Sequence, residues 1–200
     1  MSTLLLATRN PKKLVELRRI LAPLLDVEVI GLDDAPHYDE VPETGATFRE
    51  NAMIKAREGV AHTGIATVAD DSGLGVDALN GMPGVLSARW AGANRGDEAN
   101  LRLLLEQLAD TPDDRVGAQF ICAAALVLPG GGETIVEGHM PGHLVREPRG
   151  RNGFGYDPIF VPDGYAVTSA QLPSDEKDAI SHRGKAMRAL APHVAAALRP

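Results

Sequence analysis

The chain has 200 residues, is 44% hydrophobic and carries a formal net charge of −7 with a single cysteine. That apolar content suffices for a core without covalent staples, and one cysteine excludes an internal disulfide. The acidic balance argues against a nucleic acid or an anionic membrane as partner, so any polyanionic ligand must be held by a local cluster of cations.

The first element expected is a buried strand over residues 3–8 (TLLLAT). Its apolar run is far too short for a signal segment or a membrane span. No other stretch approaches 18 apolar residues, and the expectation is a soluble, cytoplasmic protein. Asn10 is a good N-cap and Pro11 suits the first helical position; Leu14, Leu17 and Leu21 then repeat at helical spacing. A second strand is expected over 27–32, and residues 33–46, polar and acidic, read as a loop. Thr47 to Glu50 matches a capping box opening a helix to about His62, with Gly64 as its stop. A third strand, 65–69, is expected to end in Asp70-Asp71-Ser72-Gly73. Residues 80–92 read as a loop and 97–108 as a helix. Long strands over 116–128 and 133–145, joined by PGGG, predict a hairpin. A glycine-rich turn over 150–157 precedes a short apolar run. A last helix is expected from Ser181 to Leu198, with Pro192 as a possible kink point. Strands alternating with helices, then a hairpin, indicate an α/β fold with a mixed sheet in one domain spanning 1–200.

Several usual signatures are absent from the sequence: GxxxxGK[ST], a complete GxGxxG, HExxH and CxxC. His139 and His143 are four apart, but Pro141-Gly142 between them favours a surface turn over a zinc site. Cys122 sits in the apolar run FICAAALVL and reads as a small buried hydrophobe.

Four places carry chemistry. In ATRNPKK (7–13) a helix N-terminus offers N–H groups and the positive end of its dipole to phosphate, with Lys13 one turn in; the bland alternative is an ordinary strand–turn–helix. Glu43 and Asp70-Asp71 supply carboxylates suited to Mg²⁺, which binds through one or two such groups plus substrate phosphates; the bland alternative, which spacing alone leaves open, is a solvated acidic turn. Adjacent side chains on an extended chain point opposite ways, so one aspartate is expected to face the site while the other supports the turn. Glu50 has a structural role as the box partner of Thr47. In Gly153-Phe-Gly-Tyr-Asp157 two glycines admit close backbone approach, and Phe154 or Tyr156 is placed to stack on a base or to pack in the core. In the fourth, His182 and Arg183 stand in the first turn of the last helix, where cations oppose the dipole. A local rule broken in this way marks a candidate functional position, and an Arg fork can donate two hydrogen bonds to a purine.

Five segments together, LATRNPKK, ETGATFRENAMIKA (43–56), ADDSGLGVDALNGMPGVLSAR (69–89), REPRGRNGFGYDPIF (146–160) and EKDAISHRGKA (176–186), span nearly the whole chain in order. The chain resembles the inosine triphosphate pyrophosphatase family, also called the XTP/dITP diphosphatases. The resemblance implies an elongated mixed sheet with flanking helices and two lobes around a central nucleotide cleft, in a homodimer. It implies Mg²⁺ and hydrolysis of ITP, dITP, XTP and dXTP to monophosphate and pyrophosphate. By residue, it implies that Thr8, Arg9, Asn10, Pro11, Lys12 and Lys13 hold the triphosphate, with Lys55 and Ser72 near the phosphates. Glu43 and Asp71 bind metal, Asp71 also accepting a proton. Phe154, Gly155, Tyr156, Asp157, Lys177, His182 and Arg183 line the nucleotide pocket. Many members carry glycine where this chain has Arg9; Arg9 is costly if that backbone needs a positive φ, and otherwise its side chain is free to add a phosphate contact. Two rivals remain from the residues alone: a nucleotide-binding module without turnover, and a pyrophosphatase for pyrimidine or methylated nucleotides.

Overall fold

The computed structural model describes residues 2–93 and 95–198. A six-stranded mixed sheet has the order β2-β1-β3-β4-β5-β6: β1 is Thr3–Leu6, β2 Glu28–Gly31, β3 Ala66–Val76, β4 Gly117–Val127, β5 Glu133–Leu144 and β6 Phe160–Pro162. β1 pairs in parallel with both β2 and β3, and β5 pairs antiparallel with β6. The helices are α1 (Pro11–Leu21), α2 (Phe48–Thr63), α3 (Gly96–Gln107), α4 (Ser174–Ile180) and α5 (His182–Ala197). Among the described residues no helix is long and apolar enough to cross a membrane.

Two compact units divide the chain, and β3, β4 and β5 run through both. The first unit comprises the stretch up to Asp71, Cys122–Gly138 and the chain from Arg183 on. Its core joins Leu4 and Leu6 of β1, Leu17, Ile20 and Leu21 of α1, Val68 of β3, Cys122 and Leu126 of β4, and Met187, Leu190 and Val194 of α5. The second unit comprises Ser72–Ile121 and His139–His182. Its core joins Leu74 and Val76, Leu104 of α3 and Leu108 just after it, Phe120, Met140, Tyr156, Ile159 and Phe160.

Local chemistry explains the helix ends. The Asn10 side chain accepts from the N–H groups of Lys12 (3.0 Å) and Lys13 (3.3 Å), and Pro11 follows at the first position. Thr47 caps α2 by accepting from Glu50 N, and Gly64 closes it in the left-handed conformation. The expected box is not closed at Thr47: the Glu50 carboxylate accepts instead from Ala46 N at 2.6 Å, one residue earlier.

Four boundaries differ from the sequence expectation. β3 does not end at Asp70-Asp71 but runs through it to Val76, because both carboxylates find cationic partners inside the fold. Residues 84–89 of the expected loop form a 3-10 helix. The surface turn weighed for His139 and His143 does not form, and the strand expected over 133–145 holds instead; β5 passes through Pro141-Gly142, and Gly142 pairs with Pro162 of β6. A separate short helix, α4, precedes the last one, whose helical run starts at His182.

Candidate active site

β3 sets the geometry of the first unit. Its side chains alternate, so Ala66, Val68 and Asp70 share the face that joins the core with α1 and α5, while Thr67 and Asp71 share the face under α2. Helix α2 lies close to β3 because Gly59 has no side chain: a Cβ there would stand 2.5 Å from Thr67 Cγ2.

Beneath α2, Asp71 is 6% exposed. The Lys55 ammonium lies 3.0 Å from Asp71 Oδ1 and 2.8 Å from Glu43 Oε1, and Asn51 Nδ2 donates to Asp71 Oδ2 at 3.2 Å. Asn51 and Lys55 are one helical turn apart, which puts both on the acid. Burial raises the Asp71 carboxyl above its ordinary range; the Lys55 charge opposes this, the Glu43 charge adds to it, and the net shift is upward. Lys55 is desolvated too, yet Asp71, Asp70 and Glu43 hold its ammonium above the ordinary value.

On the opposite face Asp70 is 1% exposed. Its Oδ2 receives Lys13 Nζ at 3.0 Å and Arg183 Nε at 3.5 Å. Arg183 Nη1 donates to Glu16, and that guanidinium is itself 3% exposed. Burial works against the Asp70 charge, but Lys13, Arg183 and Lys55 outweigh it and hold the carboxyl well below the usual range. Asp70 therefore anchors a buried ionic network and supports no turn. The Cys122 thiol, enclosed beside Asp70, is pushed up by burial and by that carboxylate, as a small buried hydrophobe should be.

At the α1 N-terminus the backbone offers phosphate less than the sequence suggests. Pro11 has no N–H, Asn10 takes those of Lys12 and Lys13, and Leu14 N donates to Asn10 O. Of the side chains there, Thr8 is half-buried, Lys12 is exposed, and Lys13 reaches Asp70. Arg9 has no strained backbone, since Asn80 is the one non-glycine at positive φ among the described residues. Its guanidinium donates to Tyr38 O at 2.6 Å.

In the second unit the glycine turn is built on a buried ion pair. Asp157 Oδ2 accepts from Phe154 N at 2.9 Å and from Lys177 Nζ at 2.5 Å. Gly153 sits at φ +73°, and a Cβ there would collide with Asp157 Oδ2. Gly155 N donates to Asp97 of α3 at 3.1 Å. Phe154 is half-buried, with Lys177 Nζ 5.7 Å from its ring centroid. Tyr156 is 4% exposed, packs in the core and donates its hydroxyl to Ser87 O at 2.9 Å. Tyr156 thus takes the core alternative. His182 is buried, with its ring stacked 4.8 Å from that of Phe120. Ser72, the residue after Asp71 in β3, is half-buried.

Sequence reasoning missed Asn51, Glu16, Asp97 and Phe120. Only Asn51 had a local signal, its i,i+4 spacing from Lys55 on an otherwise small-residue face.

The carboxylates present suit a hard divalent cation. Glu43 and Asp71 already converge on one cationic centre, the Lys55 ammonium, and their oxygens match the ligand preference of Mg²⁺. Among the described residues no three His, Cys, Asp or Glu side chains form a cage, so the remaining ligands would be water and substrate oxygens, as is usual for Mg²⁺.

The chain matches the Ham1 family over residues 4–193 and belongs to it. It is 63% identical to the dITP/XTP pyrophosphatase of Nocardia farcinica, covering 98% of this chain and 96% of that one. It is 56% identical to the protein of the same name from Streptomyces coelicolor, over 97% and 98%. Among solved structures, a nucleoside-triphosphatase, dITP/XTP pyrophosphatase, from Mycobacterium abscessus superposes with a TM-score of 0.77 at 62% identity, covering 95% and 99%. A HAM1 protein from Coxiella burnetii superposes with a TM-score of 0.88 at 41% identity, covering 97% and 98%.

Proposed function

We propose that this Ham1-family chain is a Mg²⁺-dependent pyrophosphatase that hydrolyses deaminated purine nucleoside triphosphates, ITP, dITP, XTP and dXTP, to monophosphate and pyrophosphate. The observation that carries the reading is the Glu43–Lys55–Asp71 constellation, in a chain whose relatives are named dITP/XTP pyrophosphatases. A module that only binds nucleotide has no use for two carboxylates and an ammonium gathered in this way.

Glu43 and Asp71 would hold the magnesium, whose charge would neutralise phosphate oxygens as the anhydride breaks. Asp71, buried beneath α2 beside Lys55 and Glu43, accepts the proton of the water that attacks the α-phosphorus. Asn51 fixes the orientation of that carboxylate. Lys55 adds positive charge beside it, and Thr8, Lys12 and Lys13 with the α1 dipole hold the triphosphate. In the second unit Phe154 offers a ring for base stacking on a turn held by Asp157 and Lys177.

Selectivity rests on the 6-oxo group. A buried donor meeting the adenine amino group goes unmatched, which costs about 1–3 kcal/mol. Arg183 supplies that donor, with His182 beside it. The enzyme works in the cytoplasm as a homodimer, on the free nucleotide pool, as one nucleotide-hydrolysing domain.

The test is release of pyrophosphate and of orthophosphate from ITP, XTP, GTP and ATP, with Mg²⁺ and with chelator. Pyrophosphate from ITP and XTP, only with metal, is expected. Orthophosphate would move the attack to another phosphorus, and binding without release would identify a regulatory module.

A further inference from the structure

Residues 35–46 run from the acidic 3-10 turn Leu32–Asp34, which follows β2, towards α2 without regular structure, and they carry Glu43. The C-terminal end of this loop is tied to α2: Gly45 N donates to Asn51 Oδ1 at 2.8 Å, Ala46 N to Glu50 Oε2 at 2.6 Å, and Glu43 meets Lys55. Its N-terminal end follows Asp34, whose carboxylate accepts from Gly31 N and Arg18 Nη2. The middle is held by a stack of three side chains. Arg9 donates through Nη2 to Tyr38 O at 2.6 Å, and its guanidinium carbon stands 5.5 Å from the Tyr38 ring centroid. The other ring partner is His62 of α2, its centroid 4.9 Å away and its plane within 5°. His62 in turn pairs with Glu58 one helical turn back, at 3.2 Å.

We infer that Arg9 is a positioning residue: through Tyr38 and His62 it straps the loop that carries Glu43 against α2 and the segment leading into α1. The Arg9 side chain is exposed, yet it makes both a hydrogen bond and a cation–ring contact to the same residue, 29 positions away. Arginine suits this because its planar fork can donate and stack at once, which a lysine ammonium cannot do. The consequence is preorganisation: a loop held in three places presents Glu43 at a lower ordering cost than a loop held at its ends. This inference rests on the proposed role of Glu43 as a metal-binding group.

The experiment uses the full chain with Arg9→Ala, Tyr38→Ala and Tyr38→Phe. The first readout is cleavage by a glutamyl endopeptidase at Glu40 and Glu43 without nucleotide, followed by mass spectrometry. Arg9→Ala and Tyr38→Ala should cleave about two- to fivefold faster, the scale expected when an exposed cation–ring interaction no longer opposes local opening. Tyr38→Phe keeps the ring and the carbonyl and should match the wild type. The second readout is the Mg²⁺ concentration for half-maximal pyrophosphate release from ITP. It should rise in the two alanine variants by more than KM for ITP at saturating Mg²⁺. Unchanged cleavage and Mg²⁺ requirement, with a raised KM for ITP in Arg9→Ala, would overturn the strap and make Arg9 a direct phosphate contact. If no triphosphate yields pyrophosphate in the wild type, the functional reading fails instead, and the cleavage rates alone decide whether the strap exists.

Discussion

Asp70 and Asp71 are neighbours in β3, and removing the charge of each should have opposite effects on stability. Asp70→Asn leaves Arg183 and Lys13 short of a carboxylate in a site where Arg183 is 3% exposed. Breaking a buried pair costs roughly 3–5 kcal/mol; Glu16 still partners Arg183, so the lower end applies, about 3 kcal/mol. At roughly 2–4 °C per kcal/mol for a chain of this size, Tm should fall by about 6–12 °C. Asp71 has the reverse sign. Its carboxyl is held above the ordinary range, so the folded protein disfavours its charge relative to the unfolded chain. Asp71→Asn should therefore leave Tm unchanged or slightly higher while lowering kcat at least about 10²-fold, the scale for losing a general base. Calorimetry near neutral pH, with pyrophosphate release from ITP on the same samples, reads both quantities. Retained kcat in Asp71→Asn, or a larger Tm loss there than in Asp70→Asn, would refute the division of labour. The Asp70 carboxyl is depressed, so its stabilisation is complete above the ordinary carboxylate range and is lost as the pH falls below it. The stability gap between wild type and Asp70→Asn should accordingly narrow only in acid.

Three further outcomes are expected. Gly153→Ala places a methyl group against Asp157 and Lys177 at φ +73°, and should cost at least about 2 kcal/mol by calorimetry and weaken ITP binding by titration. Tyr156→Phe leaves the buried Ser87 carbonyl without its donor, about 1–3 kcal/mol; Tm should move more than KM, and the opposite ordering would return Tyr156 to the nucleotide pocket. Arg183→Lys keeps the charge but loses the fork, and should compress the ITP-to-ATP ratio of kcat/KM by about tenfold. If both rates fall with the ratio intact, Arg183 acts through Glu16 and Asp70 and not on the base.

What the sequence made legible was chemistry within reach of its own neighbours. The Asn10 cap, the Thr47 cap and the Gly64 stop each involve residues no more than four apart, and all three hold. The mixed α/β sheet was likewise readable from alternating apolar runs. The extent of β3 was not, because Asp-Asp-Ser-Gly carries every local mark of a turn. Whether it stays extended depends on Lys13, 57 positions away, and on Arg183, 113 away, which make a buried Asp70 tolerable. Long-range pairing of this kind leaves no periodic trace. Nor could the α1 N-terminus be read fully: the same cap that announces the helix also takes two of the N–H groups a phosphate would use.

Side-chain alternation separates the two aspartates more sharply in a strand than in a turn. In a turn, adjacent aspartates share solvent and differ little. In a strand they occupy opposite faces and meet different partners. Asp70 faces Lys13 and Arg183 and is held charged; Asp71 faces one ammonium and a second carboxylate and is held nearer to protonation. Burial is shared, so it does not distinguish them. The difference lies in the charges around each, and those are set by which helix covers which face: α1 and α5 on one side, α2 on the other. Exchanging a partner, rather than either aspartate, should therefore shift the roles. With Lys55→Met, Asp71 loses its ammonium and should be pushed further up. The acid limb of kcat/KM would then move to higher pH. An acid limb that stays in place in Lys55→Met would show that Asp71 is not the group whose proton is being read.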